Sequence, residues 1–196
     1  MRLIIQKDIE IELIIELFNG NICLPSRKKQ FNLFLDAYMS KNKNCNKVPI
    51  LYKNNKNFPS LSNLWLLGFT EAEGCFTISL LSNSLAFRTR FILSQKGDVN
   101  LPILSKCIEL FKGGNIEGHS KKDNYSYIIT GIKNISLIYP YFDKNLEYFL
   151  GNKKNSYLKF KYLNLLLLNK AHLDSKLRPS LNTLALEINS QKRKTK

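Results

Sequence analysis

Two glutamates, Glu71 and Glu73, close an apolar run that begins Leu64-Trp65-Leu66-Leu67-Gly68-Phe69-Thr70, and Gly74 follows them at once. The run reads as a helix, because Leu64, Leu67 and Gly68 share a face with Glu71 and Cys75 at i, i+3, i+4 spacing. Gly68 leaves no side chain on that face, so a second helix could approach it to near backbone contact. Glu73 falls in the last turn, beside the exit into a strand. A carboxylate there opposes the negative end of the helix dipole, which is costly without a cation nearby. A bound divalent metal would remove that cost, so cation binding is the chemistry this spacing suits. The same residues also suit an ordinary buried helix capped by Gly74, with two solvated glutamates.

The elements that would position this pair follow directly. Residues 75–81 and 86–94 alternate as strands. In the first, Phe76, Ile78 and Leu80 face one way, with Cys75, Thr77, Ser79 and Leu81 opposite. In the second, Phe87, Thr89, Phe91 and Leu93 share the buried side, while Arg88, Arg90 and Ser94 face out with Ile92 as the one apolar member. A polar, basic face backed by an apolar one is the arrangement of an antiparallel sheet covered on one side. A helix over about 99–111 has the stripe Leu101, Leu104, Ile108 and Phe111. Gly113-Gly114 ends it and opens a third strand, 115–120, in which Asn115, Glu117 and His119 alternate with Ile116 and Gly118. A fourth strand spans 125–131, and helices fall near 133–142, 153–169 and 181–192.

Upstream, residues 8–39 are helical in pieces. Ile9, Leu13, Leu17 and Phe18 make one stripe, ended by Gly20; Phe31, Phe34, Leu35 and Tyr38 make another after Pro25. Residues 41–60 are rich in Asn, Lys and Pro without periodicity and read as a surface linker. About 20 structureless residues are unusual inside a compact domain, so a domain boundary is placed there.

The chain has 196 residues, with 30 Lys+Arg against 15 Asp+Glu and a formal charge of +15. An excess that large destabilises a compact state unless a polyanion is the partner, with nucleic acid ahead of an anionic membrane surface. No apolar stretch approaches the roughly 20 residues needed to span a bilayer. Lys7, Asp8 and Glu10 interrupt the apolar start before it could form a signal peptide. The 4 cysteines, Cys23, Cys45, Cys75 and Cys107, have no CxxC spacing and read as scattered thiols in a reducing compartment. His119 and His172 are too isolated for a histidine-based metal site. The bias towards Asn, Lys, Ile and Leu is that of an AT-rich genome and points to an organelle.

Leu66 to Gly74, Leu-Leu-Gly-Phe-Thr-Glu-Ala-Glu-Gly, resembles the LAGLIDADG motif of homing endonucleases and related intron maturases. It departs from that motif in having Leu at the second position and Glu for both acids. Three further stretches resemble family landmarks in order: Leu93-Ser94-Gln95-Lys96, Gly113-Gly114-Asn115-Ile116 and Phe149-Leu150-Gly151-Asn152-Lys153-Lys154. The resemblance implies an α+β fold, the αββαββα LAGLIDADG repeat whose antiparallel sheet forms a DNA-binding saddle. Ile14-Ile15-Glu16-Leu17-Phe18-Asn19-Gly20-Asn21 resembles the closing part of a first repeat. The implied organisation is therefore 1–40 as the end of a first repeat, 41–60 as linker, and 61–196 as a complete repeat with a basic C-terminal tail. No second motif of this kind occurs in the 196 residues.

The resemblance further implies an Mg2+-dependent endonuclease acting on double-stranded DNA at a long intron-insertion site, of mitochondrial or other organellar origin. The alternatives are a maturase that binds group I intron RNA and a non-catalytic DNA-binding remnant. Glu73 would bind the metal, Gln95 would position water or a DNA oxygen, and Lys153, with Lys154 as the close alternative, would stabilise developing charge. Taken alone, Gln95 is a strand-end polar residue and both lysines are solvated. Thr77, Ser79, Arg88, Arg90, Ser94, Asn115, Glu117, His119 and Ser126 would read DNA in the major groove, which admits a β-ribbon. Lys192 to Lys196 would contact phosphate without sequence preference. Leu64, Leu67 and Gly68 would meet a partner motif helix, supplied by a second copy of the chain or by a missing N-terminal half.

Overall fold

The computed structural model describes residues 4–42, 50–53, 58–81, 84–119 and 122–190. The basic tail Lys192–Lys196 and Cys45 lie outside the described residues. The chain divides into two compact units, Met1–Phe58 and Pro59–Lys196.

The first unit contains α1 (Asp8–Phe18) and α2 (Pro25–Lys41), the latter started by a proline in its first turn. Its core is Ile15, Phe31, Leu35 and Tyr38, with Ile11, Ile22, Met39, Ile50 and Tyr52 packed against it. The expected α1 stripe does not face inward: Ile9, Leu13 and Leu17 are all exposed, and the packing face runs through Ile11 and Ile15. Periodicity places both sets on usable helix faces, and the partner, not the pattern, selects one. Within the stretch expected to be a structureless linker, residues 50–53 are instead held. The Asn19 amide donates to the Leu51 carbonyl at 2.9 Å, and its oxygen accepts from the Lys53 amide at 2.7 Å.

The second unit runs α3 (Trp65–Glu73), β1 (Gly74–Leu80), β2 (Phe87–Lys96), α4 (Leu101–Phe111), β3 (Asn115–Gly118), β4 (Asn124–Thr130), α5 (Tyr139–Lys144), α6 (Lys153–Leu168) and α7 (Arg178–Glu187). The strands form one antiparallel sheet in the order β1-β2-β4-β3. Register joins Phe76, Phe91 and Ile129 across the sheet, and Gly74, Leu93, Tyr127 and Ile116 likewise. This face is the core. Phe76 packs against Phe91 at 5.2 Å between centroids, Phe142 at 5.6 Å, Tyr157 at 5.5 Å and Phe160 at 5.3 Å, tying α5 and α6 onto β1 and β2. Rings at these separations contribute about 0.5–1.5 kcal/mol per pair beyond their area burial.

Local differences from expectation have simple causes. The stretch near 133–142 is a 3-10 turn over Asn134–Ile138 followed by the short α5, because Pro140 can only start a helix. The last helix runs over Arg178–Glu187 in place of 181–192, its earlier start set again by a proline, Pro179, in the first turn. α4 buries Ile103, Leu104, Cys107 and Phe111, a face rotated from the expected stripe. The Cys107 thiol is pushed up to about 12 by burial, which leaves it protonated and inert. Lys112 ends α4 in the left-handed region, and Gly114 follows at φ +89°, where a Cβ would stand 2.6 Å from the Tyr127 ring. α7 lies along the outer edge of β1, where the Asn189 amide donates to the Phe76 carbonyl at 2.7 Å. No described helix is long and apolar enough to cross a membrane.

Candidate active site and nucleic-acid interface

The motif helix α3 is short, and tertiary bonds hold both of its ends. At its start, the Tyr141 hydroxyl accepts from the Leu67 amide at 2.9 Å and donates to the Asn63 carbonyl at 2.9 Å, while Asn63 Oδ1 accepts from the Trp65 amide at 3.1 Å. Two amides of the first turn, orphaned by helix geometry, are thereby satisfied. Burial pushes the Tyr141 phenol up, against the opposing hydrogen bond from Leu67, so it keeps the proton it donates.

Leu66, Leu67, Phe69 and Thr70 are the buried side of α3. Leu67 is therefore not part of the open face on which it was expected. That face holds Leu64, Gly68 and Ala72, all exposed, with Trp65 and Glu71 half-buried at its margins. A Cβ placed on Gly68 would meet nothing within 4 Å. The small residues thus leave a smooth notch along the helix.

At its other end α3 runs into β1 through Gly74, which is extended at φ −77°, ψ 151° and is no left-handed cap. Glycine is required there by space: a Cβ would stand 2.6 Å from both the Thr70 carbonyl oxygen and its Cγ2. No basic residue occupies the last turn of α3. Instead Lys153, at the start of α6, sends its Nζ across to donate to the Gly74 carbonyl. A cation from a remote element thus offsets the negative helix end. Glu73 itself is exposed, and among the described residues no side chain or backbone group bonds to it. Glu71 points elsewhere: its Oε1 accepts from the Leu150 amide at 2.8 Å and the Gly151 amide at 2.7 Å.

Gln95 lies within β2, two residues past Leu93, the partner of Gly74. Register thus sets Gln95 just beyond the α3–β1 junction on the face shared with Gly74. Glu73, Lys153 and Gln95 all belong to this end of the sheet. Lys154, the neighbour of Lys153, is half-buried.

The other sheet face gathers the remaining candidates. Thr77 pairs with Arg90, Ser79 with Arg88, and Ser94 with Ser126, which in turn pairs with Glu117; Asn115 stands opposite Ile128. His119 continues beyond β3, its amide donating to the Asn124 carbonyl at 2.8 Å. All nine candidates therefore share one face or its margin. They are not equally free. Ser126 is buried and shares a 2.8 Å hydrogen bond with Ser94, and the Asn115 amide donates to Glu117 Oε1 at 3.0 Å. Lys96 and Asn124, paired with each other, belong to this face too, as do Ile92 and Ile128. The same alternation, carried two residues past Ser94 and two either side of Ser126, locates them.

A hard divalent cation fits the donor chemistry of Glu73, an exposed oxygen donor with no competing protein cation bonded to it. Among the described residues no cluster of three or more His, Cys, Asp or Glu could complete a metal site. The chain thus offers one carboxylate towards such a site.

Residues 66–164 match the family described as LAGLIDADG endonuclease. The chain belongs to this family, whose members depend in general on divalent metal. It is 36% identical over 168 residues to a probable intron-encoded endonuclease 4 of Neurospora crassa, covering 82% of this chain and 28% of that protein. It is 29% identical over 167 residues to an uncharacterized cox1 intron-2 protein of Schizosaccharomyces pombe, covering 83% of this chain and 48% of that one. The chain therefore spans about a quarter to a half of these relatives. An archaeal intron-encoded homing endonuclease, I-Vdi141I, solved in complex with DNA, shares the fold at TM-score 0.58 and 24% identity, over 65% of this chain and 83% of that one.

Proposed function

We propose that this chain is the catalytic and DNA-reading repeat of a site-specific homing endonuclease, hydrolysing phosphodiester bonds of double-stranded DNA at a long intron-insertion site. The observation that supports this most is the placement of Glu73. It is an unengaged carboxylate at the C-terminal end of the motif helix, at the edge of a sheet whose open face is basic and polar. Glu73 would hold a divalent ion, Mg2+ in this reading, which when bound relieves charge on the phosphate and lowers the pKa of water. Lys153 offsets negative charge at the same junction and would do so for charge developing on the phosphate. Gln95 would orient water or a DNA oxygen from the end of β2. Mitochondrial origin is part of the proposal, supported by the AT-rich composition and the cox1 intron in the name of one relative. Residues 1–40 are proposed as the end of a first repeat and 61–196 as a complete one. Cleavage of a plasmid carrying the candidate insertion site, with and without Mg2+, is the test. Duplex binding without cleavage at any divalent metal would overturn the proposal.

Arg88 and Arg90 rise from β2 into the open face and are proposed to contact guanine. Neutralising either should cost roughly 1–3 kcal/mol of binding and relax preference at particular base pairs, whereas deleting Lys192–Lys196 should weaken all duplexes alike and flatten the salt dependence. Competition binding against cognate and random duplexes separates the two. Equal losses on both duplexes for every variant would remove the sheet as reader.

The open face of α3 is proposed to receive a second motif helix, with self-association the first-ranked source. Gly68→Leu adds bulk to the notch, and its Cβ meets nothing within 4 Å. It should leave the melting temperature of the unit intact while abolishing association seen by sedimentation. An unchanged sedimentation profile would exclude α3 as the interface.

A further inference from the structure

Glu71 has a role that the metal site does not use. Its Oε1 gathers two consecutive backbone amides, Leu150 at 2.8 Å and Gly151 at 2.7 Å, in a turn 79 and 80 residues away in sequence. Leu150 is 93% exposed, so its side chain adds nothing to this tie, while the preceding Phe149 is buried against Tyr157. Gly151 is followed by Asn152, the N-cap of α6, and then by Lys153. Asn152 makes no side-chain cap bond. A carboxylate held one step before this helix start also faces the positive end of a 16-residue dipole. Two residues beyond the clamped amide, the Lys153 Nζ returns to the Gly74 carbonyl, three residues beyond Glu71. The two ties close a ring: the motif helix grips the turn through Glu71, and the turn grips the motif helix exit through Lys153.

We propose that Glu71 is a positioning residue that fixes Lys153 at the motif helix exit by clamping the Leu150 and Gly151 amides, so the two motif acids divide metal binding and lysine placement between them. This rests on the reading of Lys153 as the residue that stabilises charge on the phosphate. Lysine is a flexible stem with a compact charge, and its position is set by its backbone and by what its ammonium donates to. Without the clamp the turn is held from the Phe149 side only, and the ammonium loses its fixed approach to Gly74. Displacement by about 1 Å at a reacting centre can cost on the order of a hundredfold in rate.

The test uses the full chain and two readouts. In the first, which needs no catalysis, lysines are acetylated by acetic anhydride and followed one by one by fragment mass spectrometry. Glu71→Ala should speed labelling of Lys153 several-fold, with Lys106 and Lys159 unchanged. Glu71→Gln, whose amide oxygen can accept the same two N–H groups, should fall between wild type and Glu71→Ala and serves if the alanine variant does not fold. In the second, single-turnover cleavage should fall roughly tenfold or more in Glu71→Ala. It should fall no further when Glu71→Ala is added to Lys153→Met, because the two changes remove one function. Unchanged Lys153 labelling in both Glu71 variants, or strictly additive rate losses, would overturn the clamp. Altered labelling in a chain that does not cut DNA would sustain the clamp and bring down the endonuclease reading instead.

Discussion

Glu73→Gln is expected to abolish DNA cleavage while leaving duplex affinity within a few-fold. The substitution keeps shape and replaces a carboxylate by an amide, which is a poor ligand for Mg2+. Glu73 is exposed and bonds to no described residue, so the fold should lose little, within ~0.5 kcal/mol for a surface site of this kind. On the proposed reading, affinity resides in the basic sheet and is left intact, apart from a small gain from removing a negative charge beside the proposed phosphate site. Single-turnover cleavage and gel-shift titration at fixed salt measure the two effects separately. Undiminished cleavage would show that Glu73 holds no catalytic metal.

Gly74→Ala should be severely damaging for a single added methyl. The new Cβ would stand 2.6 Å from the Thr70 carbonyl oxygen, which already accepts the Gly74 amide, and 2.9 Å from the Thr70 Cα. These are backbone atoms and cannot swing aside, so α3 and β1 must separate. Overpacking of this kind costs roughly 1–3 kcal/mol. The damage falls between Glu73 and the Lys153 contact, so cleavage should drop further than stability alone explains. Thermal melting together with single-turnover rates well below the melting temperature would reveal this. A wild-type melting temperature in Gly74→Ala would mean that the junction has room the packing denies.

The first two strands of the repeat were legible because alternation is a local property: the inward residues from Phe76 to Leu93 stand out against their neighbours, whereas in the fourth strand Ile128 beside Ile129 blurs the pattern. The nonapeptide was legible through its resemblance to the LAGLIDADG motif, and its helix through the i, i+3, i+4 spacing of Leu64, Leu67 and Gly68. What could not be read was which partner each face meets. Leu67 belongs by spacing with Leu64 and Gly68, yet it turns inward and its amide bonds to Tyr141, 74 residues away. The stripe of Ile9, Leu13 and Leu17 has the right period and is exposed, because Ile11 and Ile15 meet α2 instead. Gly74 was legible as a terminator but not as a close-approach residue, since φ −77° makes no conformational demand for glycine. The partner of Glu71 was hidden too. The sequence sets Glu71 apart from Glu73 on the helix, but only the return of the 150–151 turn shows what its carboxylate holds.

The two-residue period of the sheet also separates two kinds of inheritance. Stability is carried by Phe76, Phe91, Leu93, Tyr127 and Ile129, whereas Ser79 and Arg88 on the opposite face are exposed and Thr77 is half-buried. Exchanges at Thr77, Ser79 or Arg88 should therefore drift almost freely, each within ~0.5 kcal/mol in folding. The pairs Ser94–Ser126 and Asn115–Glu117 are exceptions, because their side chains hold each other. If this face reads DNA as proposed, a lineage whose target sequence changes could rewrite it one side chain at a time, with the scaffold beneath indifferent to the message.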